Sequence, residues 1–68
     1  MTQTEMVKNY METHGSITPN DAIYQLGITR LAARISDLRR QGTKITATTE
    51  HGQNRFGEDR TYKRYRLG

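Results

Sequence analysis

The stretch between Gly27 and Gly42, ITRLAARISDLRRQ, constrains this chain more than any other. Leu31, Ile35 and Leu38 recur at i, i+4 and i+7, so in a helix they form one apolar stripe. Arg30, Ala33, Arg34 and Asp37 fall outside it. The planar fork of arginine suits phosphates and guanine edges, and alanine lets a partner approach closely. Taken alone, the segment fits two descriptions: a recognition helix, or an ordinary amphipathic helix with a solvated basic face. The rest of the chain separates them.

A length of 68 residues limits the chain to one small domain, 1–68, with a thin core. Its charge is unevenly placed. Up to Thr29 the chain carries Lys8 against Glu5, Glu12 and Asp21, a net −2. From Arg30 onward ten basic residues face Asp37, Glu50, Glu58 and Asp59, a net +6. That asymmetry, with a pI near 9.9, is the footprint of a protein that meets a polyanion. There is no cysteine, hence no disulfide framework and no thiolate metal site. No apolar run approaches a membrane span and no signal-peptide pattern opens the chain, so a cytoplasmic protein without membrane contact is expected.

Local punctuation predicts the element order. Thr2 and Glu5 form a capping box that opens a first helix over about 3–13, with Met6, Val7, Tyr10 and Met11 on one face. Gly15 ends it. Thr18, Pro19 and Asp21 supply a second box for a helix over about 19–26, with Ala22, Ile23 and Leu26 inward. Ile17 is expected as a single extended residue stapled to the core. Gly27 provides a left-handed turn, Ile28 plugs the angle between helices, and Thr29 caps the third helix, about 30–41. This is a helix-turn-helix.

Beyond Gly42 the period changes to two. Residues 44–50 and 61–67 alternate and are rich in β-branched and aromatic side chains, which predicts two strands. Residues 51–60 hold two glycines and almost no aliphatics, so they read as a long mobile wing loop. The fold class is α+β: three helices, then a two-stranded antiparallel β-hairpin wing, the order of a winged helix-turn-helix.

The segment from Gly15 to Ile45 resembles small helix-turn-helix proteins encoded by bacteriophages and prophages. The shared pieces are Gly15-Ser16-Ile17-Thr18, Ala22, Leu26-Gly27, the run Arg30 to Arg39, and Gly42 before the first wing strand. Tyr65-Arg66-Leu67 looks like the closing strand of that family. The resemblance implies DNA binding, in a transcriptional regulator or an excision or replication accessory factor. The third helix is shorter than in larger winged-helix repressors. The wing carries Arg55 beside Glu58 and Asp59, whose carboxylates oppose a phosphate.

In this reading double-stranded DNA is the partner. Thr29, Arg30, Ala33, Arg34, Asp37 and Arg40 lie on or beside the groove-facing side of the third helix. Arg30 or Arg34 would pair with guanine and Ala33 would leave room for a thymine methyl. Thr18 and Asn20 would hold a phosphate at the start of the second helix. Arg55 and Arg60 would reach the minor groove or the backbone from the wing. An internal ion pair between Arg34 and Asp37 is the competing description of those two.

The other reading is a protein-interaction module, with Phe56 and the tyrosines as anchors. A protein partner through the wing and a homodimer both stay open. An enzyme is not expected. His14 and His51 are far apart, lack metal-ligand spacing, and no glycine-rich phosphate loop follows a strand. No cofactor is implied.

Overall fold

A computed structural model describes residues 1–53 and 55–68. Helix α1 spans Gln3–His14, and the Thr2 hydroxyl accepts the Glu5 amide at 3.1 Å. The Glu5 carboxylate accepts from the Thr2 hydroxyl, where the capping box predicted the Thr2 amide. Val7 and Met11 are buried, with Met6 and Tyr10 packed beside them.

The second helix differs from expectation. Its α-helical part, α2, covers only Pro19–Asp21, and the chain then widens into a π turn at Ala22–Leu26. A π turn advances less per residue than the 100° of an α turn. Ala22 is buried and Leu26 packs beside the core, whereas Ile23, predicted as buried, is left 44% exposed. The widened turn closes on Gly27 at φ +70°, where the Ile28 amide donates to the Ala22 carbonyl at 2.8 Å. Ile28 is then fully enclosed in the core.

Helix α3 spans Leu31–Arg40 and buries Leu31, Ile35 and Leu38. Its N-cap is Arg30, with no side-chain cap, so Thr29 does not fill the capping role predicted for it. The Thr29 side chain stands one residue outside the first turn.

Strands β1 (Ile45–Gln53) and β2 (Asp59–Leu67) pair antiparallel from Ile45–Leu67 out to Gln53–Asp59. The ladder thus extends into residues predicted as loop: His51, Gly52, Gln53, Asp59 and Arg60 are strand. Backbone pairing needs no apolar face, and the Tyr62 ring lies within van der Waals reach of Gly52. Of the predicted 51–60 loop only 55–58 stand outside the strands among the described residues; Asn54 lies outside the described residues. Ile17 joins the sheet on its other edge, exchanging two 2.9 Å backbone bonds with Tyr65. The single extended residue is thereby a one-residue third strand, ordered Ile17, β2, β1.

The core is one cluster between the helices and the base of the hairpin: Val7, Met11, Ile17, Ala22, Ile28, Leu31, Ile35, Leu38 and Ile45. Tyr65 and Leu67 close it from β2. Beyond this base the hairpin projects from the body, and Thr49–Lys63 and His51–Thr61 continue its core-side face. No helix is long and apolar enough to cross a membrane.

Candidate nucleic-acid interface

Short elements bring the start of α2, the start of α3 and strand β2 together. Thr18 and Asp21 form a complete capping box: the Thr18 hydroxyl accepts the Asp21 amide at 3.2 Å and the Asp21 carboxylate accepts the Thr18 amide at 3.0 Å. The box fixes Pro19 and Asn20 on the surface between α3 and the wing. On one side lies a depression of about 340 Å³ lined by Pro19, Thr29, Arg30, Ala32, Ala33 and Lys63, with Leu31 and Tyr65 at its base. On the other side a cleft of about 580 Å³ runs between Thr18–Asp21 and the wing, where Gly52, Gln53, Arg60, Thr61 and Tyr62 line it. Pro19 borders both hollows and forms the ridge between them.

The predicted site residues divide into four groups. Thr29, Arg30 and Ala33 converge on the first depression, and Asn20 and Arg60 on the cleft. Thr18 also lines the cleft but is only 6% exposed, and its hydroxyl is engaged in the cap. Arg34, Asp37 and Arg40 occupy a flank of α3 and line neither hollow. Asp37 pairs with both arginines, with Arg34 Nε 3.2 Å from Oδ2 and Arg40 Nη2 on Oδ1. Arg34 Nη1 also donates to Gln3 Oε1 at 3.4 Å, which draws its guanidinium toward the start of α1. Arg55 is exposed at the wing tip.

Sequence reasoning missed Lys63 and Ala32. The signal for Lys63 was strand alternation: it shares a face with Tyr65 and Leu67, one step beyond the core, and so meets the start of α3. Ala32 and Ser36 are exposed on α3, more so than Ala33 and Asp37. The wing has a fixed attitude because Arg64 ties it down. Its Nε donates to Glu50 Oε1 at 2.9 Å across the strands, and its Nη1 donates to Ser16 Oγ at 2.8 Å beside Ile17. The hydrogen bond from Arg64 holds the Glu50 carboxyl below its ordinary pKa, with Tyr62 and the Arg66 charge assisting, and it raises the pKa of Arg64. Arg39 Nη2 donates to the Ile45 carbonyl at 3.1 Å and fastens the end of α3 to β1.

These bonds sort the positive charge. The ion pairs among the described residues engage Arg34, Arg40, Arg64 and Arg66. Arg30 and Arg60, one at each hollow, take part in none of them, nor does Arg55. No side chain caps the first turn of α3, so its amide groups at the depression stay open to an acceptor.

The family model of the winged helix-turn-helix domain matches residues 2–68. The chain belongs to this family. The match covers the three helices and the whole hairpin, and a winged helix-turn-helix points to DNA as the partner. No curated protein and no solved structure matches the chain significantly. In this winged helix-turn-helix protein the paired hollows lie where the second helix, the third helix and the wing meet.

Proposed function

We propose that this protein binds double-stranded DNA sequence-specifically, with α3 in the major groove. The observation that carries the reading is the convergence of Arg30, Lys63 and the uncapped start of α3 on one depression, with Arg60 across the Pro19 ridge. Arg30 is the proposed base reader, and Thr29, Ala32 and Ala33 form the small-residue surface that admits base edges. Asn20, with Thr18 behind it in the cap, stands where a phosphate would pass. Arg60 and Arg55 would hold the flanking backbone from the wing. Arg34 and Arg40 would join only on leaving Asp37. The proposed role is a regulator of transcription, or an accessory factor in excision or replication of phage type, acting in the cytoplasm.

Titration of a random-sequence duplex over a range of salt tests the reading. With about four to six phosphates neutralised, log K should fall against log salt with a slope of roughly −4 to −5. A flat response, or no binding at low salt, would refute it. The exposure of Phe56 and Tyr24, 79% and 80%, favours a second reading as a protein-docking module. In that case Phe56→Ala would abolish biological activity while duplex affinity stayed unchanged.

A further inference from the structure

Asp37 is the only carboxylate on α3, and both its oxygens are turned to arginines of the same helix. Arg34 and Arg40 stand three residues to either side, so the three side chains share a flank. Arg34 Nε is shielded from solvent and its N–H is not aimed at the carboxylate, so the 3.2 Å contact is ionic rather than a hydrogen bond. The other end of that guanidinium is held by Gln3 of α1. The side chains of Arg34 and Asp37 keep only 31% and 24% of their exposure. Two of the cations on α3 are thus occupied before any partner arrives.

We propose that Asp37 sets specificity by withholding Arg34 and Arg40 from phosphates, so that arbitrary duplex is bound weakly; this rests on the DNA-binding reading above. A phosphate must compete with Asp37 for each guanidinium, and it also meets an added negative charge on this flank. Ion pairs at this spacing and exposure are weak, so the carboxylate's own repulsion of phosphate adds to the pairing. This penalty falls on every duplex alike, so contacts to base edges made from the Arg30 depression carry a larger share of the total affinity, and a duplex that lacks them is held weakly. Asp37 thereby acts as a positioning residue on α3 and makes no base contact itself.

Asp37→Asn removes the charge and keeps the shape. With a random-sequence duplex as probe, its affinity at low salt should rise about tenfold. The salt slope should steepen by roughly one to two, about 0.9 for each arginine released. Asp37→Glu keeps the charge and should restore both wild-type values, and Asp37→Ser should behave as the asparagine variant does. The slope reports phosphates engaged, which a merely structural role for Asp37 would leave unchanged. An asparagine variant that binds like wild type or more weakly, with the same slope, overturns the proposal while DNA binding stands. If neither wild type nor variant binds duplex at low salt, the DNA-binding reading falls and takes the proposal with it.

Discussion

Gly27 controls the turn that aims α3, and its replacement has a cost that can be worked out. The residue sits at φ +70°, ψ 25°, and a Cβ added there meets nothing within 4 Å. Gly27→Ala therefore creates no clash, and its effect is that of an L residue forced into the left-handed region, about 1–2 kcal/mol. A domain of this size loses about 4–8 °C per kcal/mol, so the midpoint of thermal unfolding should drop by about 5–15 °C. Gly27→Val should drop further, since a β-branched residue is the least suited to that conformation. Gly27→Asn should recover much of the loss, because asparagine visits this region readily. Gly52→Ala is the control: its φ is not left-handed, and its Cβ meets Tyr62 Cε1 at 3.4 Å, an ordinary contact. That variant should lie within about 0.5 kcal/mol of wild type. Circular dichroism melts of the four variants decide the matter. If Gly27→Ala melts with wild type, or Gly27→Asn melts below Gly27→Ala, the turn is not held by the backbone conformation described.

Three further outcomes follow from the same geometry. Ala33→Glu puts a carboxylate into the depression beside Arg30, so duplex affinity should fall at least about tenfold with an unchanged melt, and normal binding would mean that another face meets DNA. Replacing Arg55 and Arg60 together by alanine should flatten the salt slope by roughly two, about 0.9 for each charge; an unchanged slope would remove the wing from the interface. The folded pKa of Glu50 lies below its ordinary 4.5, so its stabilisation is present above that value and is lost as pH falls through the lowered one. The wing amides of Glu50 and Tyr62 should therefore hold their exchange protection down to about pH 4.5 and lose it below, and Glu50→Gln should abolish that step.

The sequence is legible where a side chain meets its own backbone a few residues away. Thr18, Pro19 and Asp21 specify a helix start by themselves, and the structure shows both bonds of their box. The stripe of Leu31, Ile35 and Leu38 identifies the inner face of α3 through its helical period, which is equally local. Legibility ends where geometry depends on a distant partner. Nothing local distinguishes a π turn from an α turn at Ala22–Leu26, because the difference is one extra residue closed by Gly27 and Ile28. The reach of the hairpin to Gln53 and Asp59 was hidden because those pairs bury nothing and are held by register set at Ile45–Leu67. Helical spacing named the Arg34–Asp37 pair, but the tie from Arg34 to Gln3 spans α3 and α1 and leaves no mark in either segment.

The bridge between Ile17 and Tyr65 makes the helices and the hairpin one cooperative unit. Ile17 is fully enclosed, and its amide and carbonyl are both satisfied by a strand that lies on the far side of the rest of the chain. A body folded without β2 would lose both of those bonds and uncover Ile17 and the apolar cluster that Tyr65 and Leu67 close, which is a costly state. Closure of this long loop is thus a condition for finishing the helical core, and the search for it belongs to the folding barrier itself. Once closed, the amides of Ile17 and Tyr65 can exchange with solvent only when the whole domain opens, so their exchange rates measure its global stability.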